Sequence, residues 1–167
     1  MDFERRDRFS ISPQQYWDLS LDPALRKAAN DLSRVKRALL EEISSPGKQT
    51  RIFQVDAEDP LPLIAQKALG VAHLSYVETI VAEPETLRET WSVDMGKWAD
   101  RIRIEGCTQL QPGSDGGCER VVKAQITVAI PLVGRTIEKQ ILSDLSQSFE
   151  KVAELTRRWI RESNPEG

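Results

Sequence analysis

Residues 118–130, CERVVKAQITVAI, run through Pro131 into a long stretch of helical periodicity, and this passage decides the fold. Val122, Ala124, Ile126, Val128 and Ile130 fall on one face of an extended strand, with Lys123, Gln125 and Thr127 on the other. Beyond Pro131, the residues Val133, Ile137, Ile141, Leu145, Phe149, Val152, Leu155 and Trp159 recur at three- and four-residue steps. A period of two followed at once by a helical period predicts a sheet with one buried face, handed directly to the helix that covers it. A helix of about 30 residues extends about 45 Å. An antiparallel sheet twists and curls, so a straight rod cannot follow all of its inner face. The space left over becomes either filled core or a ligand-sized hollow.

Upstream, residues 2–11 alternate weakly (Phe3, Arg5, Asp7, Phe9, Ile11) and read as a first, edge strand. Ser12-Pro13-Gln14-Gln15 predicts a short helix with a capping box. Asp22-Pro23 opens a second helix through Leu32, with Leu25, Ala28, Ala29 and Leu32 inward. Ser33–Ile43 and Gln49–Asp56 form a hairpin about Pro46-Gly47, and Arg51, Phe53 and Val55 share one face of its second strand. Leu63–Leu69 makes a short helix stopped by Gly70. Val71–Val81, Thr86–Met95 and Arg101–Leu110 are the remaining strands before the closing hairpin and helix. The order is β-α-α-β-β-(α)-β-β-β-β-α, an α+β class with seven antiparallel strands. With no repeat, linker or low-complexity stretch, a single domain over residues 1–167 is expected.

Composition narrows the functional classes. The formal net charge is −3, with 23 basic and 26 acidic side chains interspersed, so no basic block is available to neutralise a nucleic-acid backbone. The charged first residues carry no signal-peptide pattern, and no apolar run approaches the ~20 residues of a membrane span. A cytoplasmic protein without stable membrane insertion is the expectation. Cys107 and Cys118 flank the turn Pro112–Gly116. Matching the apolar faces places Cys118 opposite Leu110, which leaves Cys107 about 10 Å away on the other face of the pleat, too far for a disulfide. One histidine and two separated cysteines supply no metal site, no cofactor is implied, and no phosphate-binding or serine-nucleophile motif occurs.

The element order, together with the pattern G-x-x-R-V-x-K-x-x-I-x-V-x-I-P-L-V-G-x-x-I-E from Gly117 to Glu138, resembles the helix-grip fold of the START and Bet v 1-like superfamily, which includes polyketide cyclase and lipid-transport-like proteins. It looks closest to a bacterial member family of unassigned function. The resemblance implies a cavity between the sheet's concave face and the last helix, holding an apolar or amphipathic small molecule or lipid. It does not choose among transport, sensing, cyclisation and regulation.

Several residues could furnish such a cavity. His73, the only histidine, lies on a strand whose two faces are both mixed, so its side is left open; it reads as a cavity acid/base or as a surface group. Glu89 interrupts the apolar face Leu87, Trp91, Val93, Met95 and either anchors a ligand or reaches water at the rim near Pro84. Thr108 and Gly106 break the series Ile102, Ile104, Leu110; small residues there enlarge a pocket, or Gly106 marks a bulge. Trp91, Met95, Ile126 and Phe149 serve equally as cavity wall or core. Trp98, in a loop, is a lid contact or folds back on the core.

The leading expectation is a non-catalytic binding or carrier protein for a hydrophobic or amphipathic small molecule, lined by His73, Glu89, Trp91, Met95, Thr108, Ile126 and Phe149. Two other readings stand beside it. One is a cyclase- or dehydratase-like enzyme using His73 or Glu89 in the same cavity. The other is a protein-interaction module with a filled core.

Overall fold

The computed structural model describes residues 1–164, so the last three residues of the expected domain lie outside the description. In chain order the elements are β1 (Asp2–Phe9), α1 (Pro13–Ser20), α2 (Pro23–Ser33), β2 (Val35–Ser45) and β3 (Lys48–Ala57). There follow α3 (Leu63–Leu69), β4 (Ser75–Glu83), β5 (Arg88–Asp94), a 3-10 turn at Gly96–Trp98, β6 (Ile102–Pro112), β7 (Cys118–Val128) and α4 (Gly134–Ser163). All strands are antiparallel, in the order β1-β7-β6-β5-β4-β3-β2. This is the helix-grip architecture and the element order expected.

Local chemistry explains the boundaries. Ser12 and Gln15 form the reciprocal capping box of α1 (3.1 and 2.9 Å), and Asp22 caps α2 by accepting from the Ala24 N–H. Arg34 takes a left-handed conformation (φ 53°) and its N–H returns to α2 carbonyls, so the helix outlasts Leu32 and β2 begins only at Val35. β4 begins at Ser75 rather than Val71. Residues 71–74 instead close onto the chain before α3, where Leu61 N–H donates to the Ala72 carbonyl. In the last hairpin Cys118 faces Pro112, and Leu110 faces Arg120. The expected parity holds, two residues out of register, and both thiols are free.

The inner face of β7 is Val122, Ala124, Ile126 and Val128, all buried. Ile141 and Leu145 of α4 pack on the cluster containing Ile126 and Val128. Phe149 stacks on Phe3 of β1 with ring centroids 6.1 Å apart, beside Val122 and Ala124. The helix therefore grips the sheet along β7 and β1.

One buried ion pair fastens this grip. Arg120 of β7 donates to Asp7 of β1 (2.7 Å), to the Tyr16 hydroxyl of α1 (3.1 Å) and to the Phe149 carbonyl of α4 (3.2 Å). Its guanidinium lies 5.6 and 5.4 Å from the ring centroids of Phe9 and Phe149. Asp7 also accepts a bidentate contact from Arg5 at 2.8–3.0 Å. Other residues of the 117–138 pattern have equally specific reasons. A Cβ on Gly117 would lie 2.3 Å from the Phe9 carbonyl, and one on Gly134 would lie 2.2 Å from that of Val128. Glu138 accepts the Val128 N–H at 2.9 Å, where the ladder ends.

Burial pushes the Asp7 carboxyl up, but the hydrogen bonds and charges of Arg5 and Arg120 outweigh it and hold Asp7 below the ordinary aspartate value. Its contribution to stability is complete above the unfolded-state pKa of about 4 and is lost as pH falls through the lower native value. Asp7→Asn is expected to flatten the acid limb of the stability–pH curve below about pH 4, read by urea denaturation across pH 2–6. Arg120→Met, which leaves Asp7 to Arg5 alone, is expected to cost about 1.5–3 kcal/mol, and Asp7→Leu with Arg120→Met to recover much of that loss.

Candidate functional site

Along α4 the residues facing the sheet are not equally covered. Ile137 at one end, and Ala153, Leu155, Thr156 and Ile160 at the other, are at most 6% exposed. Between them Ile141, Leu142, Leu145 and Phe149 are only half-buried, although they face the sheet. The opposing positions on β3 to β6 match them: Phe53, Ile80, Trp91, Val93, Ile104 and Thr108 are also half-buried. The helix is thus packed at both ends and along β7, and spans a hollow over β3–β6. Three separate apolar clusters border this region and do not merge into one core.

Charge occupies the space between them. Strand alternation directs Arg37 (β2), Arg51 (β3), Glu78 (β4) and Glu89 (β5) to the inner face, where the registers make them diagonal neighbours. Arg37 pairs with Glu78 at 2.9 Å. Arg51 approaches Glu89 no closer than 3.8 Å. Arg26 of α2 overhangs the set, its Nε donating to the Ser20 carbonyl at 2.8 Å. Arg51 and Glu78 are each only 8% exposed, so two opposite charges are buried at the edge of the hollow. Burial raises the Glu78 carboxyl above the ordinary value, and Arg37 reverses this only in part. Glu89 keeps 28% of its side chain exposed toward the hollow, yet enough protein surrounds it to raise its carboxyl too, against the pull of Arg51, Arg26 and Arg37.

The residues singled out from sequence fall into three groups. Glu89, Trp91 and Thr108 sit on the inner face of β5 and β6, with Glu89 directly opposite Thr108. Met95 and Ile126 are buried in the apolar cluster under the start of α4, and Phe149 closes the β1–β7 side. His73 does not join them. It is exposed, in the connection before β4, whereas Glu89 pairs with Ala82 near the far end of that strand. Ser75 to Ala82 alone covers about 23 Å at ~3.3 Å per residue, so no histidine–carboxylate pair converges on one substrate. The strand's inner face is Tyr76, Glu78, Ile80 and Ala82; His73 precedes it.

Gly106 also differs from expectation. Pairing continues through it on both sides without a bulge, and a Cβ there would lie 2.4 Å from the Trp91 ring. The room it leaves is filled by indole, which pins Trp91 flat against β6. Trp98 folds back on the cluster of Met95 and Ile102. Arg51, Glu78, Arg37 and Arg26 were not singled out as site residues. The available signal was a charge on an otherwise apolar face, as Arg51 is beside Phe53 and Val55. An open groove of about 840 Å³ is lined by outward residues such as Thr90, Glu105, Cys107 and Lys123, together with Phe3, Trp91, Gly106 and Ala124. Its lining offers no buried charge. No group of three or more metal-ligating side chains occurs among the described residues, and none of their helices is long and apolar enough to cross a membrane. Gly106→Ala is expected to displace Trp91 and cost about 1–3 kcal/mol, a fall of some 3–10 °C in Tm by calorimetry.

Residues 4–160 match the family described as Protein of unknown function (DUF2505), and the chain belongs to that family. No curated protein matches it. Solved structures share its fold at low identity. TTHA0849 from Thermus thermophilus has a TM-score of 0.67 at 15% identity, over 93% of this chain and 96% of that one. Norcoclaurine synthase from Thalictrum flavum gives 0.62 at 15%, over 93% and 86%, and has also been solved in complex with dopamine and hydroxybenzaldehyde. The di-domain ARO/CYC StfQ of the steffimycin biosynthetic pathway gives 0.65 at 15%, over 98% of this chain and 51% of that one. These likenesses establish the START/Bet v 1-like fold.

Proposed function

We propose that this DUF2505 member is a binding or carrier protein for a hydrophobic or amphipathic small molecule, held in the hollow between α4 and strands β3–β6. The observation that carries the reading is the exposure profile of α4. A helix whose sheet-facing residues are buried at both ends and half-buried in the middle leaves room between itself and the sheet. Apolar side chains line that space (Ile80, Trp91, Leu145), and polar groups at its floor (Glu89, Thr108, Arg51) would orient a guest. Such a lining, largely apolar with a few convergent polar groups, is what small-molecule sites require. Met95, Ile126 and Phe149 act as walls, and His73 has no part.

The structural neighbours agree with this reading in kind. Norcoclaurine synthase has been solved with dopamine and hydroxybenzaldehyde, and StfQ is a di-domain ARO/CYC. An enzymatic role in the same hollow would have to rest on Glu89 and Glu78, since the histidine lies elsewhere. Burial raises both carboxyls, as an acid catalyst needs.

A fluorescent fatty-acid analogue is expected to bind the purified protein saturably at about one equivalent. Leu145→Trp, which puts bulk into the hollow, is expected to weaken that binding at least about tenfold while circular dichroism stays unchanged. Absence of saturable binding by any lipophile, together with no co-purifying small molecule in native mass spectrometry of protein from its own host, would overturn the proposal.

A further inference from the structure

The two buried arginines of the inner face are provided for very differently. Arg120 donates to three acceptors on three elements. Arg51 is nearly as buried, at 8% exposed, yet no hydrogen bond joins its guanidinium to any described residue. Its Nε is enclosed without a partner; the Nε of Arg120 is too, but both terminal nitrogens of Arg120 are bonded. Its nearest carboxylate oxygen, on Glu89, stands at 3.8 Å, beyond hydrogen-bond length. A guanidinium cannot shed its proton to escape burial, so an enclosed one with idle donors calls for an acceptor that these residues do not supply.

The neighbours narrow what that acceptor is. Arg37 stands 2.9 Å from Glu78 as its counter-charge, although that Glu78 oxygen accepts no hydrogen bond. Glu42, opposite Arg51 in register, is exposed and accepts instead from Gln49. Arg26 hangs over the same place from α2 and is close enough that Arg51, after burial itself, disfavours its charge. Two cations thus crowd one edge of the hollow, with a single loosely held carboxyl, Glu89, between them. An incoming amine would add a further positive charge to Arg26 and Arg51. A planar anion with two oxygens matches the idle fork of Arg51 and relieves its repulsion with Arg26.

Resting on the binding function proposed above, we infer that Arg51, assisted by Arg26, receives the carboxylate of a hydrophobic carboxylic acid whose apolar part lies along Ile80 and Trp91 beneath α4. Glu89 and Thr108 bound the head group on the β5–β6 side. The acid is discriminated from an alcohol of the same length because only a carboxylate satisfies two donors of one guanidinium at once.

Octanoic acid, octanol and octylamine, titrated at pH 8 against the full chain in competition with the fluorescent analogue, separate the possibilities. The acid is expected to bind about 10–100-fold more tightly than the alcohol, the margin of a charge-assisted hydrogen-bond pair. Arg51→Gln is expected to bring the acid-to-alcohol affinity ratio to about one, and Arg51→Lys to restore only part of the margin. Should Arg51→Gln not fold, Arg26→Gln, at the half-exposed rim, is expected to cut the acid's advantage by about three- to tenfold. Equal binding of acid and alcohol, preference for the amine, or an acid preference indifferent to Arg51 would each overturn the carboxylate assignment and leave the binding function standing. Failure of all three probes, and of the analogue itself, would overturn both.

Discussion

A straight rod laid against a curling surface touches it in only some places, and the protein is organised around that mismatch. α4 runs unbroken from Gly134 to Ser163, about 45 Å of helix, while the seven strands beneath it twist away. Contact is complete where β7 and β1 meet the helix and at its two ends, and incomplete over β3–β6. The Arg120 network decides which side closes. It joins β7, β1, α1 and α4 at one point, so the helix is tied down along one edge of the sheet. Whatever space curvature creates is thereby displaced toward the other edge.

The molecule uses buried arginine in two ways, and the contrast separates architecture from recognition. Around Arg120 every strong charge has a counter-charge or an acceptor in direct contact, so removing any one member exposes the cost of the rest. Around Arg51 the compensation is partial. Arg26, Arg37 and Arg51 face Glu42, Glu78 and Glu89, equal in number, but only Arg37 and Glu78 are in close contact. Packing alone would be served better by apolar residues at these inward positions.

The β2 edge bears on how a guest would enter. This strand is exposed over nearly its whole length, including Leu39 and Leu40, which are 52% and 58% exposed. A register shift between Leu39 and Glu41 and flanking charges (Lys36, Arg37, Glu41, Glu42) blunt the edge against pairing with other strands. At the end of α2, Ser33 meets Ser148 of α4 at 3.2 Å.

Sequence periodicity made the sheet, its inner and outer faces and the gripping helix legible, because alternation and helical repeats are local consequences of backbone geometry. The caps at Ser12 and Asp22 were legible for the same reason, each being a contact within one turn. Strand limits were less so. Val71–Leu74 alternates like a strand, yet its backbone bonds go to the segment before α3, a partner that sequence spacing does not reveal. Gly106 reads as missing bulk, and only the neighbouring strand shows that Trp91 supplies it. The charged set was the least visible feature, since Arg26, Arg37, Arg51, Glu78 and Glu89 come from five different elements. By itself the sequence determined the container: which residues face inward, and that a rod must cover a curved sheet. Tertiary structure alone decided where the container stays open and which charges meet there, because both depend on strand register and helix placement, set by contacts between residues far apart in the chain.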